Sequence, residues 1–306
     1  MNNPSIDIAK IFGQPIDPAL PVDPVLAEIC KRDTLECGDN AYAFTSYDEN
    51  VDTIYTAGDN GEVISNHKSP VGGVEIDMIG YQSDLAYVTL NEMSASKDQT
   101  ALARKKMAIT RGLNKLELKG MIDLILAITS QEVSKATGED LYDGIMKMVH
   151  KINDYGENYV LLAGREVVQA IDNYDKENTE NFSYRISIKE MLADVGVKVV
   201  KVLGSVKLDS GVYLPVLDPT KAILVARNSD LVDTKPCLLI RRKFNAELSK
   251  SAGVEGEAER LVTTIGGLQV INNSKNILGI GCFGYENIGI AVTNYLAICY
   301  CENLIS

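Results

Sequence analysis

The period of the hydrophobic pattern changes along the chain, and the clearest signal is helical. Between residues 97 and 129 there is no proline and only two glycines, Gly112 and Gly120. Leu102, Ile109, Leu113, Leu116 and Ile125 fall on one stripe, and Arg104, Lys105, Arg111, Lys115 and Lys119 decorate the rest. Ser96-Lys97-Asp98-Gln99 fits a capping box with Ser96 as N-cap. The spacing predicts a helix of about 33 residues, about 50 Å long at roughly 1.5 Å per residue. Its last third, Met121 to Ile128, is apolar nearly all round and is expected to be buried.

A second helix is predicted over Asp140 to Ile152, where Leu141, Ile145, Met148, Val149 and Ile152 share a face and Gly156 closes it. Tyr159 to Leu162 reads as a buried strand leading through Gly164 into a helix bearing Val167, Val168 and Ile171. Ser187 caps a short helix (Ile188, Met191, Leu192) that Gly196 stops. Strands follow at Val197 to Leu203, Val212 to Val216, Ala222 to Ala226 and Leu238 to Arg242. The tail adds Thr263 to Val270, Ile288 to Val292 and Leu296 to Tyr300. Strands segregate from helices and no internal repeat is evident, so the fold class is α+β rather than a doubly wound sheet.

The front of the chain reads differently. Pro15, Pro18, Pro21 and Pro24 fall at a strict interval of three, the period of a polyproline II turn. Gln14 to Val25 is therefore expected to be stiff and extended, lying along a surface through Ile16, Leu20, Val22 and Val25. Residues 50 to 82 read as a long hairpin. Val51 to Thr56 runs out and Gly58-Asp59-Asn60-Gly61 supplies the Asn-Gly turn signal. Glu62 to Asn66 returns, and Val74, Ile76 and Met78 alternate with Glu75, Asp77 and Ile79. Such a hairpin has little core of its own, which points to a neighbouring molecule that covers it. Leu85 to Leu90 is a short strand before the long helix.

Composition narrows the classes. The 306 residues are 45% hydrophobic and 24% charged, which excludes disorder and leaves ample material for a core. No stretch reaches the roughly 20 apolar residues of a membrane crossing. Six cysteines are too few for a disulfide scaffold at this size, and the expectation is a protein made in a reducing cytoplasm. The net charge of −12 is uneven: residues 1 to 98 hold 17 acids against 5 bases, and the remaining 208 hold 25 of each. A neutral body behind an acidic front is not the footprint of a nucleic-acid reader. The basic residues Arg104, Lys105 and Lys106 are read as a solvated face first, as partners for acidic arms of neighbouring copies second, and as phosphate contacts third.

No motif carries catalysis. Gly279-Ile-Gly281-Cys-Phe-Gly284 matches a dinucleotide-binding pattern. The chain behind it reads as strand and has no room for the helix and acidic residue that the chemistry needs, so a glycine-rich bend or bulge between strands is expected. His67 and His150 are the only histidines, and no nucleophile elbow or Walker-type loop occurs. Cys299 and Cys301 share a strand face as buried small hydrophobes, and Cys30 and Cys37 have the wrong spacing for a zinc knuckle. No metal or cofactor is expected, although scattered carboxylates such as Asp194, Asp209 and Asp218 leave an enzyme reading open.

The order of these elements resembles the major capsid proteins of tailed bacteriophages, the Hong Kong 97 fold. The match is architectural: an extended N-terminal arm (1–48), an E-loop hairpin (49–82), and a peripheral domain with the long spine helix (83–133). An axial domain (134–254) and C-terminal strands (255–306) that complete both domains follow. The phrase Gly284-Tyr-Glu-Asn-Ile-Gly-Ile-Ala-Val-Thr-Asn294-Tyr-Leu-Ala-Ile298 is similar to the closing segment of such shell proteins. The resemblance implies hexamers and pentamers that build an icosahedral head around double-stranded DNA, assembled in a bacterial host and ending in the virion. It implies partners such as scaffolding, portal and decoration proteins, and no catalytic role. Asp59, Asn60, Gly61, Glu62 and Lys68 on the hairpin, with Arg104 and Lys105 on the helix, are the expected assembly contacts. Some family members join a hairpin lysine to an asparagine; Lys68 is the sole hairpin lysine here, with Asn287 or Asn294 as the receiving side chain. The arm begins almost at once, so a separate scaffolding protein, or none, is expected. An encapsulin-type nanocompartment shares the fold, but would carry an amphipathic N-terminal helix where this chain has prolines.

Overall fold

The computed structural model describes residues 23–39, 41–45, 73–95, 101–128, 131–178, 187–208, 210–227, 235–251, 256–272, 275–301 and 303–305. In chain order the elements begin with α1 (Pro24–Ile29), β1 (Cys30–Leu35), β2 (Ala41–Thr45) and β3 (Gly73–Asp77). β4 (Ile79–Gln82), β5 (Ala86–Thr89), α2 (Leu90–Ala95) and α3 (Ala101–Ile128) follow. The middle holds β6 (Glu132–Val133), α4 (Leu141–Ile152), β7 (Asn158–Ala163), α5 (Arg165–Asn178), α6 (Ile188–Asp194) and β8 (Val197–Lys201). After β9 (Ser205–Lys207), β10 (Tyr213–Pro215) and β11 (Ala222–Arg227) come β12 (Cys237–Arg242) and α7 (Ala246–Ser251). β13 (Arg260–Asn272), β14 (Lys275–Val292) and β15 (Ile298–Cys301) complete the set.

The middle of the chain forms a five-stranded sheet in the order β6-β15-β11-β7-β8. Its central strands β7 and β11 are continuous apolar runs rather than alternating ones, because both faces are covered. Leu161, Ala163, Leu224, Cys299 and Cys301 face α4, α5 and α6 through Ile145, Met148, Ile171 and Leu192. Val160, Leu162, Ile223, Val225 and Ile298 face the other way, onto Leu118, Met121, Ile122 and Ile125 of α3 and Leu26 and Ile29 of α1. The helix starts are fixed locally. Asp140 and Asp143 close a capping box at α4, and Ser187 and Glu190 close one at α6. Each such cap contributes about 1 kcal/mol.

The second, six-stranded sheet is organised by β14, an 18-residue strand. One edge of β14 takes β12 and then β13, while the other takes β4 and then β5. β1 adds parallel to β12 at the margin. Helix α3 crosses both sheets. Its N-terminal half puts Leu102, Ile109 and Leu113 against Val88, Val262, Ile280 and Cys282, and its C-terminal half seals the five-stranded sheet.

Several expectations are corrected. The described part of the helix, Ala101–Ile128, is 28 residues, about 42 Å, and a separate α2 precedes it; the predicted ends at 97–100 and 129, with the Ser96 to Gln99 capping box, lie outside the described residues. Met121, Ile122 and Ile125 are fully buried, but Ile128 is 44% exposed, because the helix presses one side onto the sheet and leaves its outer flank to water. Pro24 and Val25 are not extended. Asp23 caps Val25 through its side chain and Pro24 sits in the first turn of α1, where its missing N–H costs nothing.

The glycine-rich Gly279 to Gly284 is neither bend nor bulge but uninterrupted strand. Gly284 is required by close approach: a Cβ there would lie 2.5 Å from Ile109 Cγ2 and 2.9 Å from Leu113 Cδ1. The register shift sits in the facing strand instead, between Ile265 and Leu268, where the sequence is Gly266-Gly267. Tyr295–Ala297 is a single 3-10 turn capped by Asn294, so the last strand starts only at Ile298. The hairpin is rooted earlier than residue 50, since β2 pairs antiparallel with β3 from Ala41 opposite Asp77 to Thr45 opposite Gly73. Ile79 to Gln82 pairs with β14 rather than extending the hairpin. The arm up to residue 22 and the hairpin segment 46–72 lie outside the described residues.

Candidate assembly surface and its buried ionic junction

Four charged side chains meet where α3 crosses the six-stranded sheet: Glu117 of α3, Arg241 of β12, Arg260 of β13 and Glu286 of β14. All are buried. Arg241 donates two parallel bonds to Glu117, Nε to Oε1 at 2.7 Å and Nη2 to Oε2 at 2.8 Å. Arg260 Nε donates to Glu286 Oε2, and its Nη1 donates to Asn114 Oδ1 at 2.7 Å. Arg260 Nη2 lies 3.2 Å from Glu117 Oε1 as an ionic contact, without hydrogen-bond alignment. Toward the rim, Arg241 Nη1 is 3.7 Å from Glu259, which Arg32 also grips.

The electrostatics follow from burial. Desolvation first, and then the nearby Glu117 carboxylate, push the Glu286 carboxyl up to about 7 against the pull of Arg260 and Arg241. Its Oε1 accepts no hydrogen bond among the described residues. Desolvation alone would pull Arg241 down, but Glu117, Glu286 and Glu259 hold it above its ordinary value. Burying such charges is expensive, so the junction is a device for position rather than a large net gain: the ion pairs form only when α3 sits in one register on the sheet.

On the outside of α3, Arg104 and Lys105 are exposed, as is Arg111. Lys106 is half-buried, and burial lowers its ammonium pKa. The hairpin residues Asp59, Asn60, Gly61, Glu62 and Lys68 lie outside the described residues, so they are not brought together with Arg104 and Lys105 here. Lys105 lines an open cleft of about 400 Å³ with Leu85, Ala86, Tyr87, Thr89 and Glu92. Glu92 is already committed to the start of α2: backbone and hydroxyl bonds from Thr89 hold its carboxyl below the usual range.

Several of the remaining residues singled out from sequence have structural work. Asn287 is 4% exposed and accepts from Tyr285 Oη at 2.9 Å, and Asn294 caps the 3-10 turn. His150 is exposed at the edge of α4. Asp218 accepts from the Thr220 backbone and hydroxyl, which lower its pKa; Asp209 lies outside the described residues. Cys299 and Cys301 point to the same core, as their spacing requires, and burial pushes the Cys299 thiol up to about 12. Among the described residues no group of three or more His, Cys, Asp or Glu is placed to hold a metal ion, and no helix is long and apolar enough to cross a membrane.

Sequence reasoning missed the junction. Its signal was present: Glu117 interrupts the apolar stripe four residues after Leu113 and four before Met121, and Arg241 closes the apolar run Cys237 to Ile240. Also missed was the exposure of Leu203, Leu208, Val212, Tyr213 and Leu214 on the β9–β10 hairpin and its flanks.

No protein-family model matches the chain, and no curated protein matches it in sequence. Solved structures do match in fold. A phage-related protein from Bordetella bronchiseptica RB50 superposes with a TM-score of 0.53 at 15% identity, over 92% of this chain and 97% of that one. The capsid of the cyanophage P-SCSP1u gives 0.53 at 9% identity over 95% and 90%. A virus-like particle from Pyrococcus furiosus gives 0.52 at 12% identity over 92% and 93%. The chain has the α+β fold of phage capsid proteins.

Proposed function

We propose that the chain is the major shell protein of a tailed-phage-type particle, assembling as hexamers and pentamers into an icosahedral head that encloses double-stranded DNA. The observation that supports this reading most is the end-to-end fold match, in which 90% or more of both chains superpose and almost nothing is left over on either side. Local features agree. The β2–β3 pair forms a two-stranded sheet of its own. Its strand β3 is anchored on the six-stranded sheet of its own subunit through Ile76 and Met78, against Leu238, Ile240 and Ala291. The long helix pinned by ionic contacts gives each subunit a stiff beam. The wall is acidic overall, which suits DNA driven in by a motor rather than wrapped. Scaffolding, portal and decoration proteins would be its partners, and catalysis is no part of this role.

The test is negative-stain electron microscopy with light scattering of the chain expressed alone in a bacterium. Closed shells, capsomer rings, tubes or sheets support assembly. Empty shells fit a capsid whose DNA is driven in by a motor, whereas co-purified protein inside the shells points to a nanocompartment. A 33 kDa monomer that stays monomeric at high concentration overturns the reading.

A further inference from the structure

Cys30 opens β1 and Cys237 opens β12, and these parallel strands place the two residues directly opposite one another. Both side chains enter the same apolar core beside Leu26, Ile29 and Met121, with exposures of 4% and 0%. Burial first, and then the facing Cys237 thiol, raise the pKa of Cys30. Neighbouring strands are spaced about 4.8 Å apart, inside the window of roughly 4.4 to 6.8 Å between Cα atoms that a disulfide spans. Among the described residues no other two cysteines face each other across strands. Cys299 and Cys301 share one extended strand, where the bond would have to fold the backbone back on itself.

We propose that Cys30 and Cys237 are a reversible disulfide site, a staple between the root of the N-terminal arm and the six-stranded sheet, closed by thiol–disulfide exchange with a low-molecular-weight disulfide such as oxidised glutathione. One cysteine thiolate attacks the reagent and expels one glutathione thiolate, leaving a mixed disulfide. The second cysteine thiolate then attacks the protein sulfur of that mixed disulfide and expels the other glutathione. The protein loses two electrons and two thiol protons, and the reagent becomes two molecules of reduced glutathione.

The position gives the bond a consequence. β1 is the margin of the sheet, held there by β12, and it carries α1 and the arm ahead of it. Closing the bridge ties that margin to a strand that pairs directly with β14. In a reducing cytoplasm the staple stays open, and in an oxidising exterior it closes. Burial holds the Cys30 thiol far above its ordinary pKa, so the closed strand pair is unreactive and exchange waits on the edge strand peeling open. The biological timing rests on the shell reading above; the bond itself does not.

The experiment uses the reduced full chain, incubated with oxidised glutathione and digested without reductant for peptide mass spectrometry. The expected result is a linked peptide pair containing Cys30 and Cys237, an intact mass lower by two hydrogens apart from any glutathione adduct on the exposed Cys37, and reversal by dithiothreitol. Low urea should speed the reaction without changing the pairing. Cys30→Ser should leave a glutathione adduct on Cys237 and no bridge, while Cys299→Ala should bridge as the parent does. Stable adducts without a bridge, or bridges through Cys37 alone, overturn the proposal. The readout is covalent mass, so it stands or falls separately from whether shells form.

Discussion

Replacing Glu117 with glutamine changes almost no volume, yet it removes the negative charge that Arg241 and Arg260 share. Arg241 is fully buried and gives Glu117 two N–H bonds; the amide accepts only one of these and turns its own NH2 toward the other. The guanidinium then relies on Glu259 at 3.7 Å and on Glu286, whose own carboxyl tends toward the neutral form. Breaking a buried pair from one side costs about 3–5 kcal/mol, and the remaining acids put this case at the lower end, about 3 kcal/mol. Removing both partners, Glu117→Met with Arg241→Met, deletes the desolvation penalty along with the attraction and should cost less than the single change. There is no tryptophan, so urea unfolding is followed by far-UV circular dichroism at fixed protein concentration. With a slope of about 3 kcal/mol per molar, the glutamine variant's midpoint should fall by about 1 M. A loss under about 0.5 kcal/mol, or a double variant as damaged as the two singles summed, would refute the claim that the junction fixes the helix on the sheet.

The Glu286 carboxyl is raised in the folded protein from an ordinary 4.5 to about 7, so its contribution is complete below pH 4.5 and lost as pH rises through 7, up to about 3 kcal/mol. Relative to Glu286→Gln, the parent's unfolding midpoint should therefore decline between pH 4.5 and 7.5; parallel profiles would count against it. Gly284→Ala drives a methyl into Ile109 and Leu113 and should cost about 1–3 kcal/mol by the same unfolding assay, with no loss meaning that α3 yields freely. Ser187→Ala removes the hydroxyl that accepts from Glu190 N at 3.1 Å and should lower stability by about 1 kcal/mol, read as a shift in thermal midpoint. Arg104→Glu with Lys105→Glu should leave unfolding unchanged but reduce particle yield in light scattering. Normal yield removes both residues from the assembly contacts.

Elements whose pattern is local were legible in the sequence. Ser187 announced its helix, because a capping side chain satisfies backbone donors within the same turn, whereas Asp140 was read as the helix's first residue and proves to be its cap. Cys299 and Cys301 announced a shared strand face, because the pleat repeats every two residues. The same locality misled at Gly279 to Gly284. Glycine is a turn signal to its neighbours in sequence, but at Gly284 it makes room for a helix that passes over the strand. Pro24 was read with the prolines before it, whereas the Asp23 side chain that caps Val25 makes it the first turn of α1.

The candidate site divides along the same line. Arg104 and Lys105 are exposed charges that any helical wheel finds. Glu117, Arg241, Arg260 and Glu286 come from four elements up to 169 residues apart in sequence, and each reads alone as an isolated charge in an apolar run. The sequence by itself determined the α+β class, the Ser187-capped helix, the long helix and the covered strands, since those follow from side-chain period and capping within a few residues. Only the tertiary structure decided which charges pair, which two cysteines face each other and which glycines are forced. Those outcomes depend on strand order and on the line along which α3 crosses two sheets, and distance in space, unlike period, leaves no local mark in the chain.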